Sequence, residues 1–302
     1  MLIREALSLG SSQLRGVGIG EAQVESEHML MKLLNVTRSQ LLFASAQSAT
    51  GDKRLMAQQE KQFFDWIESR EKRIPLAYLL GDTFFHSLKL KVGPGCLIPR
   101  PETERLVEEA LEIIRKNKIK SPVIRDIGTG SGAIALAILA AMPEAKAVMV
   151  DFSAEALKIA RENTAELGFL SRAELIHSDL FNFPPPAGGR QRKFDLILSN
   201  PPYLTAEDLN VLQPEVAFEP RMALDGGKDG LDFYRKLIPD AAKFLKPQGW
   251  LGFEVGAGQA PAVCEELKKN GYQDVRVFSD HQAIDRVVFG RSTGMPVERS
   301  QR

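Results

Sequence analysis

Over roughly the first 80 residues, apolar positions recur three and four apart, in Ala22, Val24, His28-Met29-Leu30 and Leu33-Leu34 and again in Leu55, Phe63-Phe64 and Trp66-Ile67. That period is helical. It predicts a small helical bundle whose core takes Met29, Met31 and the Phe63, Phe64 and Trp66 cluster. Asp52, after Gly51, is placed to cap the helix that follows. From Tyr78 to Leu97 the period changes. Thr83-Phe84-Phe85 and Leu88-Lys89-Leu90-Lys91-Val92 cluster or alternate as strands do, and Gly93-Pro94-Gly95 marks a turn. A β-hairpin joining two domains is expected there.

Ile98-Pro99-Arg100-Pro101-Glu102-Thr103-Glu104 leads into a helix that starts near Glu102 or Thr103 and carries Leu106, Val107, Ala110, Leu111 and Ile114 as its apolar stripe. Strands and helices then alternate, the pattern of a parallel sheet with helices on both faces. Strands are predicted over 122–127, 145–150, 173–176, 194–199 and 250–255, with helices over 133–141, 154–167 and 261–269. Pro184-Pro185-Pro186-Ala187-Gly188-Gly189 reads as a surface loop. Two last strands, 275–278 and 286–289, have no helix between them and are expected to pair antiparallel. The expected domains are a helical one over 1–80, a hairpin linker over 81–98, an α/β domain over 99–291 and a loose tail over 292–302.

Composition narrows the class. With 44% apolar and 26% charged residues in 302, the chain is an ordinary globular one, long enough for two domains. Lys+Arg and Asp+Glu are equal at 39 each, so the basic surplus expected of a duplex-binding protein is missing. Cys96 and Cys264 stand far apart and fit neither a metal spacing nor a disulfide framework, so buried thiols in a reducing cytosol are expected. The N-terminus shows no signal-peptide pattern, and no apolar run approaches a membrane span.

The densest chemistry lies in Phe194-Asp195-Leu196-Ile197-Leu198-Ser199-Asn200-Pro201-Pro202-Tyr203. A buried strand ends at Ser-Asn, and two prolines then stiffen the backbone beyond it. Asn200 offers an amide oxygen and Pro201 a carbonyl oxygen. Two adjacent acceptors suit a planar group carrying NH₂, either a carboxamide or the exocyclic amine of a base, with the Tyr203 ring able to cover its face. A second constellation is Gly128-Thr129-Gly130-Ser131-Gly132, a tight loop between strand and helix where a ligand can approach the backbone. Asp151 ends the next strand, 23 residues after Gly128, a spacing that suits a carboxylate on ribose hydroxyls. The loop departs from the glycine spacing of dinucleotide-binding folds, and the sheet is expected to end in an antiparallel pair. Both features favour S-adenosylmethionine over a nicotinamide dinucleotide. Asp179-Leu180, after the third strand, is placed to meet the adenine.

Several stretches together resemble the HemK/PrmC family of peptide chain release factor N5-glutamine methyltransferases: the segment from Leu97 to Glu104, Asp126 to Gly132, Asn200 to Tyr203, Phe218-Glu219-Pro220, Ala223-Leu224 and Gly226-Gly227-Lys228-Asp229-Gly230-Leu231. The resemblance covers nearly the whole chain and is strongest over 74–290. Asn-Pro-Pro-Tyr is shared with methyltransferases acting on adenine and guanine amino groups, whereas the Ile-Pro-Arg-Pro-Glu-Thr-Glu stretch is far more specific. One departure falls at Asp280-His281-Gln282-Ala283-Ile284-Asp285-Arg286-Val287-Val288, where the family usually has a glycine before Arg-Val-Val.

The resemblance implies a class I S-adenosylmethionine-dependent methyltransferase fold, Rossmann-like, with a seven-stranded mixed sheet and an N-terminal helical domain that recognises substrate. The activity implied is methylation of the side-chain amide nitrogen of the glutamine in the Gly-Gly-Gln motif of class I release factors. Gly128, Thr129, Gly130, Ser131, Gly132, Asp151, Asp179, Leu180 and Asn200 are then the expected cofactor residues. Asn200, Pro201, Pro202 and Tyr203 are the expected catalytic and substrate-binding residues. No metal, membrane or direct nucleic-acid partner is expected, and the chain should act as a cytoplasmic monomer. The rivals are a glutamine methyltransferase of a ribosomal protein, a nucleic-acid amino methyltransferase and a non-catalytic binding module. His28 and His86 read as packing or surface residues, and His177-Ser178-Asp179 as neighbours in sequence only. Glu207, Asp208 and Glu215 read as a solvated face, with Glu219 the one candidate for a site role.

Overall fold

The computed structural model describes residues 1–46, 53–182 and 192–294. Its first unit comprises Met1–Gly81 together with Pro214–Phe218. Among its described residues are five helices: α1 (Ile3–Gly16), α2 (Ala22–Leu34), α3 (Arg38–Ala46), α4 (Ala57–Glu71) and α5 (Leu76–Leu80). Ile3, Leu14, Met29, Leu30, Phe63 and Ile67 are its buried centre, while Met31, Phe64 and Trp66, expected in the core, are only partly buried at its margin. The predicted cap Asp52 lies outside the described residues; at the start of α4 the backbone N–H of Met56 donates to the Gln59 side chain instead. Arg70 is buried, and its guanidinium reaches Glu25 at 2.6 and 3.1 Å and Glu215 at 2.9 Å. Arg73 meets the same Glu215 at 3.0 Å. Glu215 is therefore not on a solvated face but part of the pairing a buried guanidinium requires.

The remaining described residues form the second unit. It opens with a hairpin of β1 (Asp82–Phe85) and β2 (Leu88–Lys91). His86 and Ser87 turn the chain with φ of 47° and 65°, the two left-handed residues of a tight hairpin turn. The predicted Gly93–Gly95 turn follows, closed by the Cys96 N–H on the Gly93 carbonyl. A single helical turn, Pro101–Thr103, then leads into α6 (Glu104–Lys116).

Beyond α6 runs the alternation the sequence predicts: β3 (Val123–Ile127), α7 (Ala133–Ala141), β4 (Lys146–Asp151), α8 (Ala154–Glu166), β5 (Ala173–His177) and β6 (Phe194–Ser199). After β6 come the short α9 (Ala206–Leu209), α10 (Asp232–Ala241), β7 (Leu245–Glu254), α11 (Ala260–Lys269), β8 (Gln273–Ser279) and β9 (Asp285–Arg291). The strand order is β5-β4-β3-β6-β7-β9-β8. Pairing is parallel from β5 to β7, and β9 is antiparallel to both β7 and β8, so the seven-stranded mixed sheet and its antiparallel end are as expected. Side chains alternate across the sheet. Leu196 and Leu198 enter one buried cluster with Ile124 and Leu136, while Ile197 enters the other with Val150 and Leu237.

The short α9 and two longer elements differ from the sequence reading. α10 is absent from it, because Pro239 interrupts a short stripe of Tyr234, Leu237, Ile238 and Ala241. β7 begins at Leu245, not 250, through a register shift against β6. The predicted loop from Pro184 to Gly189 lies outside the described residues, as does the predicted tail beyond residue 294. Among the described residues no helix is long and apolar enough to cross a membrane. The strand order reverses beside β3, which places a crevice at the carboxyl ends of the central strands, the usual ligand position in open α/β sheets.

Candidate active site

The turn after β3 is built by backbone geometry. Gly128 and Gly130 take φ of +69° and +56°, and a Cβ on either would meet nothing within 4 Å, so both present bare backbone to open space. Gly132, at φ +90°, is different: a Cβ there would lie 2.6 Å from Met149 and 2.9 Å from Leu136, so it is a packing glycine. Thr129 and Ser131 are buried. The Thr129 hydroxyl donates to Asp126 at 2.6 Å, and the Ser131 carbonyl accepts from Asn163 at 2.9 Å. Asn163 also exchanges hydrogen bonds with the Lys91 backbone, which ties the glycine turn to β2. Burial pushes the Asp126 carboxyl up to about 7, against the pull of Thr129 and of the Ala135 N–H at the start of α7.

Beside this turn lies a cavity of about 340 Å³, an ordinary volume for a small-molecule site. Gly128, Gly130, Asp151, Asp179, Leu180 and Asn200 all line it, so the structure brings together residues that are up to 72 positions apart in sequence. Thr129, Ser131, Gly132, Pro201 and Tyr203 are not among its lining residues. Asp151 ends β4, and each of its oxygens already accepts one backbone N–H: Gly130 at 2.8 Å and Ser153 at 2.9 Å. Burial raises its carboxyl above the usual range, opposed by those backbone bonds. His177 donates to the Phe152 carbonyl at 2.7 Å, which steadies the segment after Asp151; Phe152 itself lines the cavity. Leu180 lines it with φ of 52°, a strained conformation for a branched side chain.

At the end of β6, Ser199 donates to the Ile127 carbonyl at 2.7 Å and fixes the strand end against β3. The Asn200 carboxamide follows. Its Nδ2 donates to Thr103 Oγ1 at 3.1 Å, and Thr103 donates in turn to Glu254 Oε2 at 2.5 Å. Among the described residues, no hydrogen bond uses Asn200 Oδ1 or the Pro201 carbonyl. The Tyr203 phenol donates to Glu254 Oε1 at 3.4 Å, and burial pushes its pKa upward. Its backbone carbonyl accepts from Gln259 at 2.9 Å. Gly226 and Gly230 explain part of the Gly-Gly-Lys-Asp-Gly stretch: a Cβ on the first would lie 2.7 Å from Tyr203 Cα, and on the second 2.3 Å from the Tyr203 carbonyl oxygen. Glu219 is buried, and it accepts from the Ile98 N–H at 3.0 Å and from Arg100 at 2.5 Å. It holds the Ile-Pro-Arg-Pro segment in place, while Pro220 beside it lines the cavity.

Sequence reasoning missed Thr103 as the partner of Asn200 and Glu254 as the partner of Thr103. A signal for Glu254 existed. It ends an apolar run, Trp250 to Phe253, as Asp151 and Asn200 end theirs.

A sheet of this order, with a glycine turn after its first strand and a carboxylate at the end of its second, is the architecture of class I methyltransferases. A methyltransferase structure from Pyrococcus furiosus shares the fold, with a TM-score of 0.51 at 20% identity over 76% of this chain and all of that one. Residues 5–81 match the family model of the PrmC N-terminal domain, and residues 107–218 that of the methyltransferase small domain. The chain is 40% identical over 290 residues to the release factor glutamine methyltransferase of Geobacter sulfurreducens, covering 96% of each chain. It is 38% identical over 287 residues to that of Caulobacter vibrioides, covering 95% of each. The chain belongs to the release factor glutamine methyltransferase family.

Proposed function

We infer that this chain methylates the side-chain amide nitrogen of the glutamine in the Gly-Gly-Gln motif of class I release factors, with S-adenosylmethionine as donor. The observation that carries the reading is the pair of unused acceptors, Asn200 Oδ1 and the Pro201 carbonyl, on a stiff turn beside a glycine-floored cavity. Two free acceptors on consecutive residues match the two N–H bonds of a primary carboxamide. The flexible stem of a glutamine can bring that group into a narrow site, and flanking glycines let its backbone come close.

The cavity residues fit the cofactor. Gly128 and Gly130 present bare backbone to open space, and the Asp151 carboxylate, held by backbone N–H groups, is the acceptor for a ribose hydroxyl pair. Asp179 and Leu180 also line the cavity, and in this reading they meet the adenine. When bound, S-adenosylmethionine supplies an electrophilic methyl group on a sulfonium.

An amide nitrogen is a poor nucleophile because its lone pair is delocalised into the carbonyl. Asn200 and Pro201 act on this by holding both N–H bonds, which fixes the nitrogen in one orientation. Orientation of this kind is worth up to about 7–11 kcal/mol. Their oxygen dipoles also face the positive charge that develops on nitrogen. No described residue of the first unit lines the cavity, and in this reading that unit grips the release factor.

Tandem mass spectrometry after incubation with cofactor and separate pools of release factor, ribosomes and DNA tests the reading. A methyl on the Gly-Gly-Gln glutamine is the expected result. A methyl on another release-factor residue, or on a ribosomal protein or DNA alone, overturns it.

A further inference from the structure

A carboxamide is nearly symmetric in shape, yet its two ends do opposite things. Asn200 serves the acceptor amide only if its oxygen, not its NH₂, faces the substrate. Nothing in the strand or the prolines decides between the two. The decision comes from behind. Thr103 has one hydroxyl proton. That proton is held by Glu254 Oε2 at 2.5 Å, so towards Asn200 the Thr103 oxygen offers only lone pairs. Asn200 must therefore turn its NH₂ to Thr103, at 3.1 Å, and its oxygen away. Glu254 and Thr103 are 1% and 4% exposed, so water cannot replace either bond. The other Glu254 oxygen holds the Tyr203 phenol, and the same carboxylate thereby anchors both ends of the Asn-Pro-Pro-Tyr turn.

We propose that Glu254, acting through Thr103, is a positioning residue that turns the Asn200 oxygen towards the acceptor amide, and that it does so only as the carboxylate. Once Glu254 takes up a proton it donates to Thr103. The Thr103 proton is then free to point at Asn200, which swings its oxygen inward and its NH₂ out. Two N–H groups would then face each other across the acceptor site.

The groups around Glu254 place this change in an accessible range. Thr103 and Glu102 face it from the turn before α6, Tyr203 from the turn after β6, and Arg286 from β9. The Tyr234 hydroxyl of α10 donates to its backbone carbonyl at 2.8 Å. Arg286 is itself paired with Asp280 at 3.1 Å. Burial dominates and pushes the Glu254 carboxyl up to about 7, Glu102 adds to the rise, and Thr103, Arg286 and Tyr203 oppose it. An acid with a raised pKa is protonated below it, so the carboxylate that orients Asn200 is lost as pH falls through about 7.

The proposal rests on Asn200 and Pro201 receiving the glutamine amide. Its test compares the wild type with Thr103→Val, Thr103→Ser, Glu254→Gln and Asn200→Ala over roughly pH 5.5 to 9. Three quantities are read: kcat on release factor, calorimetric affinity for S-adenosylmethionine, and release-factor affinity in the presence of S-adenosylhomocysteine. Wild-type kcat should fall on the acid side. Thr103→Val should lose about tenfold or more in kcat and weaken release-factor binding, with cofactor affinity kept and the acid limb gone. Thr103→Ser, which keeps the hydroxyl, should restore rate, binding and limb. Glu254→Gln should be slower and flat with pH. An unchanged acid limb in both Glu254→Gln and Thr103→Val overturns the proposal, as does a Thr103→Ser as impaired as the valine variant. If Thr103→Val does not fold, Thr103→Ser against Glu254→Gln still reads the limb. If Asn200→Ala itself keeps wild-type turnover, the two-acceptor reading fails. If Asn200→Ala is dead while the limb survives the other changes, the positioning role alone fails.

Discussion

Asp151 commits one lone pair on each oxygen to the backbone, at Gly130 and at Ser153, and so shapes the glycine turn before any ligand arrives. A carboxylate held in this way costs little to reorganise when a ribose hydroxyl pair approaches. Asp151→Ala removes both the charged acceptor and the tie to Gly130. S-adenosylmethionine affinity should fall by about 1.5–3 kcal/mol, roughly 10- to 150-fold, while the chain remains folded. Isothermal calorimetry checks this, and an unchanged affinity removes Asp151 from the site. At this scale the legible residues were those that end an apolar run with a polar group. Asp151 and Asn200 stood out for that reason. Thr103 did not, because its meaning depends on Glu254, 151 positions away, and no local period connects the two. Thr129 and Ser131 came from the motif as neighbours of the glycines; their side chain and backbone hold the loop together from inside.

Elements were legible where the period was long and illegible where the turn chemistry was unusual. The β-α alternation and the antiparallel end came from hydrophobic spacing, and the structure shows both. The hairpin turn at His86-Ser87 gave no signal, since glycine and asparagine are the usual left-handed residues. The segment between β8 and β9 shows the same conflict. It is the stretch where the sequence departs from the pattern it otherwise resembles, and here Ala283 takes a φ of 60°. The turn forms because Asp280 organises it. The Asp280 carboxylate accepts from the Gln282 and Ile284 N–H groups at 2.8 and 3.0 Å and from Arg286 at 3.1 Å. Those bonds hold Ala283 in a conformation that costs an L residue about 1–2 kcal/mol. Ala283→Gly removes that cost but frees the unfolded chain by roughly 0.4–1 kcal/mol. The net expectation is a gain of about 0.5–1 kcal/mol in stability. A higher urea midpoint at unchanged slope confirms it; a lower midpoint shows that the methyl makes contacts worth more than the strain.

At the scale of the whole chain, the proposed function assigns chemistry and recognition to two units of different design. Among the described residues, all that line the cavity belong to the second unit, and its sheet supplies both the glycine turn and the Asn-Pro-Pro-Tyr turn from strand ends. The first unit is a helical bundle with its own buried core and its own buried ion-pair cluster at Arg70. A release factor is a large macromolecular substrate, and the proposed site, which receives one carboxamide, cannot select it by that amide alone. Selection by the helical unit predicts a specific split when the chain is begun at Asp82. Such a chain should bind S-adenosylmethionine with close to full affinity, because every cavity residue is retained. Its kcat/KM on intact release factor should fall by about tenfold or more, while a short Gly-Gly-Gln peptide, which has little surface for the bundle to hold, should be methylated at nearly the same low efficiency by both forms. The paired assay separates recognition from damage to the site. Loss on both substrates would mean that the shortened chain is misassembled, which cofactor calorimetry would register independently. Equal efficiency of the two forms on intact release factor would refute a recognition role for the helical unit.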